Sequence, residues 1–226
     1  MVFHACRTYH ARMRICFIGD SYVTGTGDET CQGWAGRLCA MERQEGRDVT
    51  LYNLGVRGQT GHDIAQRWQT ETETRIGGRC DGGVVLSFGV NDCTSRPDGQ
   101  PRLAPEHSLA AACAILEAAT PHWPVLMVGP PPIGHTLTDT RTQALSTALG
   151  AACAQLGVPF LPIGNALLAS PLWCAEIARG DGAHPAGGGY GELARLVHGW
   201  AAWRGWMDTG TPHPHPYALQ GNPLEK

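Results

Sequence analysis

Lysine is nearly missing from this sequence: the only one, Lys226, stands at the last of 226 positions. Two chemistries go with it, because a P-loop sets a lysine against its phosphates and Schiff-base catalysis needs a lysine amine. A basic field is missing as well. A formal charge of -3 offers nothing to hold a phosphate backbone, so nucleic acid is not expected as a partner. No apolar run approaches a membrane span, and the residues from Met1 to Arg14 carry Arg7, Arg12 and Arg14 without the apolar core of a signal peptide. A soluble protein of the cytoplasm is the expectation. Cysteine is plentiful, but the nine are odd in number and show no CxxC spacing. Cys16, Cys113 and Cys153 fall within apolar segments, which reads as reduced, buried thiols. A bond in an oxidising compartment, such as Cys31 with Cys39, is the alternative reading.

What the chain does have is the makeup of a globular domain, with 42% apolar and 16% charged residues in a length that one core can organise. Short, nearly continuous apolar runs alternate with helical patterns, as in βα units around a parallel sheet covered on both faces. The expected strands are Arg14 to Ile18, Val49 to Leu54, Val84 to Phe88, Val125 to Val128 and Val158 to Ile163. Helices are expected over Gln32 to Gln44, His62 to Thr74, Pro105 to Ala119, Thr140 to Leu156 and Gly187 to Trp203. In the fourth, Ala144, Leu145, Ala148, Leu149 and Ala152 recur at helical spacing. The fold class is therefore α/β with a five-stranded parallel sheet. One domain is read over 13–207, after an extension at 1–12 and before a flexible tail at 208–226 rich in Thr, Gly, Pro and His.

An open parallel sheet carries its working residues on the loops after the carboxyl ends of its strands. Here those loops read GDSYVTGTGD, GVRGQTGHD, GVNDCT and GPPPIGH, with GDGAHPAG before the last helix. Ser21 follows Gly19 and Asp20 at the end of the first strand, where a hydroxyl projects above the sheet edge. A serine hydroxyl is a poor nucleophile until a base takes its proton and a third group fixes the tautomer of that base. Asp181 and His184, three residues apart in a turn before a helix, meet that need: the carboxylate can accept the Nδ1 proton and leave Nε2 free for Ser21. An oxyanion also needs donors, for which the Ser21 N–H, the Gly58 N–H and the Asn91 side-chain amide are the candidates. Asp20 and Asp92 read as braces for their loops. His62, His107, His122, His135 and His198 read as structural, and the pair His213 and His215 as a weak metal motif without further ligands.

Four segments, in order, resemble the sequence blocks of the SGNH hydrolases, a family of GDSL-like lipases and esterases. They are Gly19-Asp20-Ser21, the NLGVRG run ending at Gly58, Gly89-Val90-Asn91-Asp92, and Asp181 to His184. One GDS tripeptide arises easily by chance; four blocks, each after an expected strand or before a helix, do not. The resemblance implies a three-layer α/β/α, flavodoxin-like fold, hydrolysis of esters or thioesters, and no cofactor or metal. It implies Ser21 as nucleophile and donor, Gly58 and Asn91 as donors, and His184 as base with Asp181 as its partner. The first block departs from the pattern, reading GDSY where the family has GDSL, which leaves the serine untouched. Trp34, following the nucleophile loop, is a candidate wall for the acyl pocket.

The expected substrate is a small or medium carboxylic ester, with a thioester or an acetylated carbohydrate served by the same site. A reading of another class is a non-catalytic module that binds a nucleotide, a flavin or a carbohydrate, since Gly25-Thr26-Gly27 lies in the first loop. That loop holds no GxGxxG, and Asp28 and Glu29 behind it repel phosphate. The α/β-hydrolase elbow is set aside because no GxSxG occurs.

Overall fold

The structure, a computed structural model, describes residues 12–209. Five parallel strands form one sheet: β1 (Arg12–Gly19), β2 (Asp48–Gly55), β3 (Gly82–Ser87), β4 (Val125–Val128) and β5 (Phe160–Leu161), in the order β2-β1-β3-β4-β5. This is the flavodoxin-like order, in which the connection changes direction beside β1 and opens a crevice at its carboxyl end. The alternation of side chains across β1 sets the layers. Ile15 and Phe17 face one core with Trp34, Leu38, Tyr190 and Trp203, whereas Cys16 and Ile18 face the other with Ile64, Ile115 and Leu149.

The first core is covered by α2 (Gly33–Gln44), α8 (Pro171–Arg179), α9 (Gly187–His198) and α10 (Ala201–Thr209). On the second lie α3 (Gly61–Ile76), α5 (Pro105–Ala119) and α6 (Thr136–Gln155). Three short helices sit at strand ends: α1 (Ser21–Thr24), α4 (Val90–Cys93) and α7 (Gly164–Leu168). The α/β/α sandwich with its five-stranded parallel sheet is thus present. No helix among the described residues is long and apolar enough to cross a membrane.

Some boundaries differ from the sequence reading. The strand expected from Val158 to Ile163 shrinks to Phe160–Leu161, because Pro159 and Pro162 flank it and have no N–H for the ladder. The helix expected from Gly187 to Trp203 is two: α9 stops at Gly199, and α10 resumes at Ala201. The α8 helix had no counterpart in that reading, although Ser170 caps it by accepting the Trp173 N–H at 3.0 Å and Pro171 opens it. Trp34 is fully buried, edge-on to Phe17 with centroids 5.4 Å apart, so it is core and walls no pocket. Residues 1–11 and 210–226, including His213 and His215, lie outside the described residues, so the expected extension and tail fall there almost entirely.

Candidate active site

Close packing at the end of β1 fixes the turn that carries Ser21. A Cβ on Gly19 would stand 1.9 Å from the Ser87 carbonyl oxygen of neighbouring β3, so no other residue fits there without moving the strands apart. Asp20 then caps α1, its Oδ1 accepting the Tyr22 N–H at 3.0 Å. Ser21 itself is buried at the first position of that helix.

His184 reaches Ser21 from the turn between α8 and α9. Asp181 builds that turn: Oδ1 accepts the N–H groups of Ala183 at 3.0 Å and His184 at 2.8 Å. Its other oxygen, Oδ2, lies 2.7 Å from His184 Nδ1, and His184 Nε2 lies 2.8 Å from Ser21 Oγ. Asp181 is only partly screened from water, yet these hydrogen bonds outweigh its desolvation and hold its carboxyl down to about 2. It is therefore charged throughout the neutral range, where a carboxylate at Nδ1 keeps that nitrogen protonated and Nε2 open to accept. A hydroxyl, an imidazole and a carboxylate in this sequence can pass a proton from serine to histidine as the oxygen attacks a carbonyl.

The loops after β2 and β3 bring the remaining candidates to the same edge. Val56 donates its N–H to the Gly19 carbonyl at 3.1 Å, tying the second loop to the first. Gly58, with φ of +81°, follows in the left-handed conformation that suits glycine. Its carbonyl accepts from Arg102 Nη2 at 3.0 Å, and the next carbonyl, of Gln59, accepts from Asn91 Nδ2 at 2.9 Å. That bond uses one of the two hydrogens on the Asn91 amide nitrogen. Asp92 braces the α3 entrance, accepting the Gly61 N–H at 2.8 Å through Oδ1.

Residues that the sequence reading did not single out complete the surroundings. Arg57 Nη2 stands 3.5 Å from Asp181 Oδ2 and lines, with Thr26, Gly27, Glu176 and His184, an open cleft of about 230 Å³. Tyr22 packs against the His184 ring with centroids 5.0 Å apart. Its place in the GDSY block was the available signal, read there as a neutral variation. Burial pushes the Asp20 carboxyl up to about 7, and Asp92 nearby adds to the shift. The Oδ2 atom of Asp20 is buried without a hydrogen-bond partner.

The acidic residues behind Gly25-Thr26-Gly27 occupy the very N–H groups that a phosphate would need. Asp28 accepts from the Gly33 N–H at the start of α2, and Glu29 from the Gly187 N–H at the start of α9. Glu42, Glu45 and His198 come close enough to share a cation, but Arg47 and Arg204 already pair with the two carboxylates.

Across residues 17–191 the sequence matches the model of the GDSL-like lipase/acylhydrolase family. The chain belongs to that family. It is accordingly a serine esterase, a carboxylic ester hydrolase of the GDSL or SGNH type acting on ester substrates. No curated protein sequence matches significantly, whereas 63 chains of solved structures do. Among these, an acetylxylan esterase from Geobacillus stearothermophilus has a TM-score of 0.70 at 18% identity, with 85% of this chain and 96% of that one covered. A lipase/acylhydrolase from Enterococcus faecalis has a TM-score of 0.66 at 23% identity, with 82% and 93% covered. At such identities the likeness bears on the fold, and this GDSL-family chain shares it over nearly the whole of each neighbour.

Proposed function

We propose that Ser21 is the nucleophile of this esterase, that His184 is its general base and acid, and that Asp181 holds His184 in the working tautomer. The observation that carries the reading is the unbroken line of short contacts, 2.8 Å from Ser21 Oγ to His184 Nε2 and 2.7 Å from Nδ1 to Asp181. Ser21 Oγ attacks the acyl carbon as its proton passes to His184 Nε2, and the carbonyl π pair moves onto oxygen. The Ser21 N–H, the Gly58 N–H and the Asn91 amide receive that oxyanion. Collapse breaks the acyl–oxygen bond, and the leaving alcoholate takes the proton from His184. Water, activated by the same imidazole, then frees the acid from the Ser21 acyl-enzyme.

Small or medium carboxylic esters are the proposed substrates. O-deacetylation of a carbohydrate is the second reading, favoured by Arg57 and Glu176, which line the cleft beside His184 and offer hydrogen-bonding groups to a sugar hydroxyl, and by the acetylxylan esterase among the structural neighbours. A cytoplasmic site of action accompanies either reading. It is supported by Cys16, Cys39, Cys93 and Cys153, which are buried as thiols and joined in no disulfide.

The decisive experiment treats wild type and Ser21→Ala with a fluorophosphonate, locates the adduct by mass spectrometry, and measures p-nitrophenyl ester hydrolysis alongside. An adduct on Ser21 and a loss of at least about 10⁴-fold in kcat in the variant are expected. Labelling elsewhere, or activity surviving in Ser21→Ala, refutes the assignment. Esters from acetate to laurate, run beside acetylated sugars and acyl-CoA, separate the substrate readings.

A further inference from the structure

The carboxylate that orients His184 has a side chain 44% exposed, so water competes for the oxygens that build the turn. Something else must keep the imidazole aimed at Ser21. The peptide joining Ala183 to His184 is held at both ends: its N–H donates to Asp181 Oδ1 at 2.8 Å, and its carbonyl accepts from Tyr22 Oη at 2.6 Å. The plane of that peptide sets the direction in which the His184 side chain leaves the backbone. The Tyr22 ring then packs against the imidazole, 5.0 Å between centroids and tilted by 38°. Its other neighbour is Trp173, stacked at 6.3 Å and fixed in turn by an Nε1 hydrogen bond of 3.1 Å to the Pro132 carbonyl. Tyr22 is 2% exposed, and burial holds its phenol well above the ordinary range, so it remains a donor at any working pH.

We propose that Tyr22 is a positioning residue for His184, clamping the Ala183–His184 peptide through its hydroxyl and seating the imidazole against its ring. The inference rests on the reading of His184 as the base. It gives meaning to the tyrosine of the GDSY block: a leucine there supplies apolar bulk but neither the O–H donor nor the aromatic face. Because Tyr22 is the next residue after Ser21, one helical turn carries both the nucleophile and the clamp on its base, although Ala183 is 161 positions away. The ring also presents π density to the imidazolium that forms as Ser21 loses its proton.

Two variants separate the hydroxyl from the ring. Tyr22→Phe is expected to lower kcat about 10-fold with KM within about 2-fold, and Tyr22→Leu about 100-fold, since small misplacements of reacting groups cost on that scale. The second readout needs no activity: the Nδ1–H proton of His184, 2.7 Å from Asp181 Oδ2, is expected to give a slowly exchanging downfield NMR signal in wild type. Tyr22→Phe is expected to broaden it and speed its exchange while Tm changes little. Wild-type kcat with an unaltered signal in Tyr22→Phe overturns the proposal, as does a fall in kcat and Tm together with that signal intact. Should Tyr22→Leu not fold, the Phe variant alone decides. Should wild type prove inactive on every ester, the functional reading fails, and the NMR comparison still tests the clamp.

Discussion

The two turns that meet at the site are built in opposite ways. The Ser21 turn is sealed: Gly19, Asp20, Ser21 and Tyr22 are all buried between sheet and helices, and backbone contacts leave no room for change. The Asp181–His184 turn lies at the surface, held by the three hydrogen bonds to Asp181 and the Tyr22 clamp. Close packing leaves the first turn one arrangement. Polar contacts in water fix the second less firmly. The proposed nucleophile is thus embedded in the fold, whereas the turn that carries its proposed base depends on hydrogen bonds at the surface.

The sharpest way to break this contrast is Gly19→Ala. The added methyl meets the Ser87 carbonyl and Val23 with no flexible side chain able to yield at the carbonyl. Strands β1 and β3 must separate at their carboxyl ends, and a loss of about 4 kcal/mol in unfolding free energy is expected by urea denaturation. Gly182→Ala is the matching change in the other turn: the Cβ meets nothing within 4 Å, but φ is +78°, so the cost is conformational alone, about 1 kcal/mol. Equal losses in the two variants erase the distinction between a sealed and an open turn.

A smaller effect comes from the buried carboxyl of Asp20. Its folded pKa is raised to about 7 from 3.8, chiefly by desolvation. Between those values the unfolded chain has released a proton that the folded chain keeps, so the contribution of Asp20 to stability falls as pH rises and is at its lowest above about 7. Asp20→Asn keeps a capping oxygen for the Tyr22 N–H and abolishes the titration. The gap between variant and wild type is therefore expected to move in favour of the variant from pH 5 to pH 8, by about 3 kcal/mol at the upper limit. A gap that stays constant over this range shows that Asp20 is not held neutral in the sealed turn.

How much of this was legible in the sequence follows the same division. The apolar runs of β1, β3 and β4, and the loops after them, were readable because strands covered on both faces leave continuous hydrophobic stretches. Ser21 was readable as a residue type at a strand end, and Asp181 and His184 as a pair in a turn before a helix; the three do come together. The packing that holds them was not. Nothing in the text announces that Tyr22 touches Ala183, that Trp173 stacks beneath it, or that Arg57 crosses to Asp181, since all three contacts join distant segments. The α8 helix that carries Trp173 escaped notice because its Ser-Pro start lies among short apolar segments without a long periodic run. Pro159 and Pro162 were visible, but their combined effect on β5 depends on its having one neighbour, β4.

The exposed turn is tested most directly at Asp181. An asparagine has one carbonyl oxygen where the turn uses two acceptor positions, one for the Ala183 and His184 N–H groups and one for His184 Nδ1. If that oxygen serves the backbone, the amide NH2 faces Nδ1 and donates to it, which selects the tautomer protonated on Nε2 and blocks proton transfer from Ser21. In a buried triad this substitution costs about 10⁴-fold in kcat. Here water reaches the carboxylate and Tyr22 still clamps the peptide, so Asp181→Asn is expected to cost only about 10²-fold, or ~2.7 kcal/mol. Because the Asp181 carboxyl is held down to about 2, it stays charged across any usable pH range, and an acid limb above pH 4 must belong to another group. A loss of 10⁴-fold in the variant, measured as kcat on a p-nitrophenyl ester, means that the outer turn is as unforgiving as the inner one.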